Sequence, residues 1–150
     1  MIKDETRAIL GTVSRIRELS TLRIQHELDA RGYPDIVPAH GRVLIALYRQ
    51  SGPLTMTELV EASGRVKSTI SSLVKSLSKN GYVERFVSEE DRRVNFVRLT
   101  EKGERFQTTF KDITESVMTT VYSDMPADQR IELVRLLRFV ECNLDSAKIA

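Results

Sequence analysis

A mainly α-helical fold with one small β-hairpin is predicted for this chain of 150 residues by three observations. Apolar residues recur at helical spacing through both ends of the sequence. In the middle, a strong helix-start signal opens a short run that ends at a glycine, and a second helical run follows at once. After Gly81 the period shortens to alternation, in two β-rich segments that flank a polar stretch.

From Asp4 to about Arg31, Ile9, Val13, Ile16, Leu19 and Leu28 lie at helical spacing among charged residues, which reads as one long amphipathic helix. The segment from Tyr33 to Pro38 carries two prolines and breaks the pattern. Val43, Leu44 and Leu47 resume it as far as Ser51-Gly52-Pro53, giving a second helix of about 12 residues. At the next start, Thr55 is placed to accept a first-turn amide and Glu58 to reach back, with Leu54 and Leu59 at the positions of a hydrophobic staple. Gly64 stops that helix early. A fourth runs to Asn80-Gly81 with Ile70, Leu73, Val74 and Leu77 on one face. Two helices joined by a short glycine-containing turn form a helix-turn-helix.

Tyr82–Val87 and Val94–Leu99 then read as paired strands, and the polar loop Ser88–Arg93 between them projects as a wing. Thr100-Glu101-Lys102-Gly103 starts a fifth helix bearing Phe106, Phe110, Ile113 and Val117. Pro126 opens a sixth, with Ile131, Val134, Leu137, Val140 and Leu144 at helical spacing. The expected organisation is one unit over 1–150: a winged helix-turn-helix lobe at 38–100 and terminal helices at 1–33 and 101–150. The apolar faces of the terminal helices exceed what the small lobe covers. A second copy of the chain would cover them across a two-fold interface, so those helices are expected to form a dimerisation domain; the alternative is an intramolecular three-helix bundle.

Composition narrows the function classes. With 41% apolar and 29% charged residues, no apolar run near 18 residues, and a start (Met1, Ile2, Lys3, Asp4, Glu5) unlike a signal peptide, a soluble cytoplasmic protein without a membrane segment is expected. The single cysteine, Cys142, forms no internal disulfide, and with only His26 and His40 beside it a closed zinc site is not expected. Set among Leu137, Val140 and Leu144, Cys142 reads as a small apolar filler. No nucleophile–base pair, glycine-rich phosphate loop or HExxH pattern is present, so neither a cofactor nor an enzyme is expected.

The net charge of +2 hides a local asymmetry. Residues 65–80 hold Arg65, Lys67, Lys75 and Lys79 and no acidic residue, a local +4. The fourth helix presents Lys67, Ser68, Ser71, Ser72 and Lys75 opposite its apolar face. Small hydroxyl residues let a helix approach base edges, basic ones attract phosphates, and a major groove about 12 Å wide admits such a helix. The plainer alternative is a solvated helix face. In the wing, Glu89, Glu90, Asp91, Arg92 and Arg93 sum to a slightly negative charge, so position decides. An arginine at the tip could enter a minor groove while Asp91 orients its guanidinium; otherwise the loop is an exposed charged turn.

Several of these segments together resemble the MarR family of bacterial regulators. They are the Thr55-Met56-Thr57-Glu58-Leu59 opening, Ser68-Thr69-Ile70, Leu77 followed by Asn80-Gly81-Tyr82-Val83-Glu84-Arg85, and above all Asp91-Arg92-Arg93 followed by Leu99-Thr100-Glu101-Lys102-Gly103. Pro38–Leu47 is similar to the family's second helix. The resemblance implies a winged helix-turn-helix dimer on palindromic double-stranded DNA, often a repressor released by a small-molecule effector. It places Ser68, Thr69, Ser71, Ser72 and Lys75 in the major groove and Arg93, held by Asp91, in the minor groove; the basic run adds Arg65 and Lys67, and the charged loop Arg92, to the expected DNA-binding residues. Ser72 and Lys75 depart from the arginine and acidic residue common at those positions, and Arg65-Val66 from an apolar residue and polar cap. The oxidant-sensing cysteine of some members has no counterpart in the first helix. Family ligands often bind between the dimerisation helices and the lobe, toward which His40, Arg17, Tyr33 or Tyr48 would point. Two rivals remain: a winged helix used for protein–protein contact, and an architectural binder without sequence preference.

Overall fold

The computed structural model describes residues 4–147; the sequence reading of Met1, Ile2 and Lys3 lies outside the described residues. The chain divides into two compact units, residues 1–114 and 115–150. In the first, a short α1 (Asp4–Arg7) leads through Ala8 into α2 (Ile9–Ala30), where one unbroken helix was expected. Leu28 is buried near its end, whereas Ile9, Val13, Ile16 and Leu19 are exposed. Arg31 and Gly32 turn the chain, Gly32 at φ 83°.

The expected second helix is shorter than its sequence pattern. A 3-10 turn, Pro38–His40, takes its first residues, and α3 (Gly41–Tyr48) follows. Proline at the start of the turn has no N–H to lose there, so the break costs no backbone bond. Val43, Leu44, Ala46 and Leu47 of α3 are buried. In α4 (Met56–Ser63) the capping box forms as its residues predict: the Glu58 N–H donates to Thr55 Oγ1 at 3.1 Å and the Thr55 N–H to Glu58 Oε2 at 2.7 Å. Gly64 ends α4 at φ 62°, a left-handed conformation that costs a residue without a Cβ little. Next, α5 (Lys67–Lys79) buries Ile70, Val74 and Leu77, while Leu73 is half-buried.

The β-structure is larger than the expected hairpin. Leu54–Thr55 forms a third strand, β1, beside β2 (Val83–Val87) and β3 (Asn95–Leu99), in the antiparallel order β1-β3-β2. Leu54 pairs with Val97 and Thr55 with Phe96; Val83 through Val87 pair with Leu99 back to Asn95. The core of this unit is the set Val43, Leu44, Leu47, Leu59, Ile70, Val74, Leu77, Val83 and Val97, joined by Tyr82 and Phe106. Tyr33 packs against Phe106 with ring centroids 4.7 Å apart.

Helix α6 (Glu101–Val121) begins at a second side-chain cap, the Gly103 N–H donating to Thr100 Oγ1 at 3.2 Å. The second unit holds its end and α7 (Ala127–Ser146), which starts after Pro126 and buries none of its residues. Ile131, Leu133, Leu136, Leu137, Phe139 and Leu144 are all exposed. Cys142 is exposed as well, its sulfur 4.0 Å from Ser146 Oγ, so within one chain it is not the packed filler its neighbours suggested. No described helix is long and apolar enough to cross a membrane.

Candidate nucleic-acid interface

Helix α5 is held from behind by contacts that leave its outer side free. The Val37 N–H donates to His40 Nδ1 at 3.1 Å, so Nδ1 is the unprotonated nitrogen and Nε2 carries the proton toward Ser76 Oγ, 3.1 Å away. His40 is 2% exposed, and burial holds its pKa below the usual imidazole value, with Asp35 pulling weakly the other way. At the far end of α5, Asn80 Nδ2 donates to the Asp35 carbonyl at 3.0 Å, the Tyr82 hydroxyl donates to Asp35 Oδ1 at 3.1 Å, and Lys102 Nζ donates to the Asn80 carbonyl at 2.8 Å.

The outer side is where the sequence-predicted residues collect. Arg65 lies in the turn, and Lys67, Ser68, Thr69, Ser72 and Lys75 are exposed along α5; Ser71 is half-buried. Val66, the residue before α5, is exposed and offers no side-chain oxygen to the first turn, the expected consequence of an apolar residue at a cap.

In the wing, the Ser88 N–H donates to the Val94 carbonyl at 3.0 Å and the Val94 N–H to the Asp91 carbonyl at 3.0 Å, which closes the loop. Within it Arg93 Nε donates to Asp91 Oδ1 at 3.1 Å and Nη2 to Oδ2 at 3.3 Å, while the Arg93 N–H donates to Oδ1 at 3.0 Å. These bonds, side chain first, hold the Asp91 carboxyl below the usual carboxylate range. The Arg93 side chain is nonetheless 91% exposed: oriented but uncovered. Arg92 is exposed beside it. Below the loop, Phe86 stacks on Phe96 at 5.3 Å and the opposed pair Glu84–Arg98 is ion-paired at 2.5 Å, so the wing rises from a stiff base. Among the described residues no hydrogen bond or ion pair joins the wing loop to α5, so the two groups of basic residues are separate patches of one unit.

One further basic residue was not anticipated from the sequence. Arg42 of α3 reaches α4, its Nη1 donating to the Ser63 carbonyl at 3.3 Å. The packing of α3 against α4 creates this proximity, and no local pattern signals it. Of the residues considered for a ligand, His40 is buried and bonded, Tyr33 is stacked, and Arg17 is exposed. Tyr48 lines a cavity of about 500 Å³ with Pro53, Arg98, Glu104 and Gln107, and its hydroxyl donates to the Gly103 carbonyl at 2.8 Å.

Comparison with known proteins bears on these patches. A sequence model of the MarR family matches residues 35–94, the stretch from Asp35 through the wing loop. The exopolysaccharide II synthesis transcriptional activator ExpG of Rhizobium meliloti is 32% identical over 104 residues, covering 67% of this chain and 53% of ExpG. The chain thus spans about half the length of that relative. Residues 35–94 of the chain are thus similar to the MarR family. That family and the curated relatives are transcriptional regulators, not enzymes. Solved MarR-family structures share the fold. Sco3205 of Streptomyces coelicolor, solved in complex with DNA, superposes with a TM-score of 0.81 at 22% identity, over 94% of this chain and 88% of its own. PcaV of Streptomyces coelicolor, solved with its natural ligand, gives 0.79 at 20% identity, over 94% of this chain and 96% of its own. The fold of this chain is therefore the winged helix-turn-helix its central residues predict.

Proposed function

We propose that this chain binds a specific, near-palindromic site in double-stranded DNA as a homodimer and controls transcription from it. The observation that carries the reading is the exposed side of α5 and its turn, which presents Arg65, Lys67, Ser68, Thr69, Ser72 and Lys75 without one acidic residue. Hydroxyl residues at the start of α5 suit close approach to base edges, with Ser71 at the margin, and the lysines suit phosphates. A guanidinium oriented by Asp91 and left uncovered suits the narrow minor groove, where negative potential concentrates; Arg92 adds charge beside it. The lobe 38–100 carries these contacts, and the helices of 1–33 and 101–150 supply the dimer.

The finer reading is a repressor released by a small molecule. PcaV was solved with a ligand, and the cavity beside Tyr48 offers this chain a place of suitable size. ExpG is by name an activator, so the sign of regulation is read from a reporter gene fused to the recovered site, not from kinship.

The test is to capture sheared genomic DNA from the source organism with dialysed protein, wash at moderate salt, and sequence what remains. The expected result is one enriched near-palindrome with half-sites about 10 base pairs apart, the spacing that two-fold symmetry imposes on a groove-reading dimer. Retention of unrelated DNA to the same extent would instead identify an architectural binder. No retention at any salt would leave the protein–protein module, because phosphate binding weakens steeply with salt and strengthens as salt is removed.

A further inference from the structure

We propose that Arg42 and Arg65 together grip a backbone phosphate beside the helix-turn-helix, extending the interface past α5 and the wing onto α3. The inference rests on the DNA-binding reading above and adds a contact which that reading does not contain. Both arginines are tied to one residue: Arg42 Nη1 donates to the Ser63 carbonyl at 3.3 Å, and the Arg65 N–H donates to Ser63 Oγ at 3.3 Å. Ser63 is the last residue of α4 and Lys67 the first of α5, so the Arg42 charge sits at the entrance to the recognition helix.

The arrangement has no internal counter-charge. Several other arginines of this unit stand beside carboxylates, Arg15 with Glu18, Arg31 with Glu27 and Arg98 with Glu84. Among the described residues no ion pair is formed by Arg42 or Arg65. Both residues are exposed; partial burial first, then the charges of Arg65 and of Arg17 in α2, make Arg42 harder to keep charged. Like charges assembled without a partner are relieved by an anion. A purely structural role, Arg42 capping the end of α4, uses one of its five donors and leaves the rest of the fork unengaged. In a helix-turn-helix the start of the second helix meets base edges while the helix before it crosses the backbone. The anion at that place is then a phosphate.

The experiment compares wild type, Arg42→Gln and Arg42→Lys in DNA-binding titrations across salt, on the enriched site and on unrelated duplex. Glutamine keeps a donor for the Ser63 carbonyl and removes the charge, so thermal melts of the variants should match wild type. The expected result is a log–log salt slope shallower by about 0.9 in Arg42→Gln, the value of one phosphate, with weaker binding to both DNAs and an intermediate Arg42→Lys. An unchanged slope and affinity in Arg42→Gln, with wild type binding normally, overturns the phosphate contact and leaves the DNA reading standing. Loss of binding by wild type itself overturns both. A second arm follows melting in inorganic phosphate or benzoate at matched ionic strength. Stabilisation of wild type, absent in Arg42→Gln and without a change in the DNA slope, would assign the cluster to a free anion and overturn the proposal.

Discussion

Arg93 is oriented by Asp91 and uncovered, so on the proposed interface its loss should weaken binding and leave folding untouched. Its guanidinium is fixed by Asp91 and covered by nothing, so Arg93→Ala removes an exposed group that contributes little to stability. The expected outcome is an unchanged melting temperature with specific affinity lower on the order of tenfold or more, measured by anisotropy titration. Lys75→Glu should differ in kind: if Lys75 meets a phosphate, as proposed, reversing its charge weakens binding to every sequence. A loss confined to one base position would make Lys75 a base contact. His40 is the opposite case, buried and unable to accept a proton without breaking a bond, because Nδ1 already receives the Val37 N–H. Its folded pKa lies below the unfolded value near 6.5, so stability is complete above that pH. As the pH falls through 6.5 toward the depressed folded value, the unfolded chain takes up a proton the native state refuses, and stability declines. Thermal melts from pH 7.5 to 5 should show this decline, and His40→Gln should flatten it; an equal slope in the variant would place the titrating group elsewhere.

At the scale of elements, the junction of α5, β3 and α6 is the least forgiving place in the first unit. Gly103 is buried at the start of α6, and a Cβ there would press into the Tyr82 carbonyl oxygen, a backbone atom already accepting from the Thr100 N–H at 3.0 Å. Neither partner can swing aside, so Gly103→Ala is expected to cost about 2–3 kcal/mol, read as a fall in melting temperature of roughly 5–10 °C. The resemblance singled out Thr100 and Gly103, and the packing supplies the reason: one caps α6 and the other admits Tyr82. What was legible in the sequence was local. The Thr55–Glu58 box, the stop at Gly64 and the switch to alternation after Gly81 each act within a few residues, and each forms as read. What was not legible depends on partners distant in the chain. Strand β1 is two residues long and exists because Val97 and Phe96 come to lie beside Leu54 and Thr55. The second helix loses its first turn to the 3-10 geometry of Pro38–His40, where His40 is occupied by Val37 and Ser76. Of the interface, the basic run and the Asp91–Arg93 pair could be read in advance. Arg42 could not, since only the packing of α3 on α4 brings it to the turn.

For the whole molecule, the question is what covers the apolar residues left exposed in each unit. In α2, Leu10 and Ile16 are 67% and 53% exposed; in α7, Ile131 and Phe139 are 72% and 62% exposed, and no residue of α7 is buried. Scattered exposed leucines need no explanation, but a helix of 20 residues with no buried residue gains little from packing as it stands, and helices are stabilised mainly by packing. A second copy related by a two-fold axis presents the same surfaces and can satisfy both at once. Sedimentation at micromolar concentration is therefore expected to give twice the 17.1 kDa chain mass. Placing a charge in that interface, Phe139→Glu, should shift the particle toward the monomer, because an uncompensated carboxylate would have to be desolvated. The consequence for DNA follows from geometry. In a dimer, binding of one half-site holds the second lobe at high local concentration over the other, so affinity for the full site exceeds that for a half-site by orders of magnitude. Phe139→Glu should erase that difference while leaving the weak half-site affinity intact, since α7 lies outside the proposed DNA contacts. Wild-type protein that sediments as a monomer, or a variant that separates into monomers yet still prefers the full palindrome, would refute the proposed dimer as the basis of recognition.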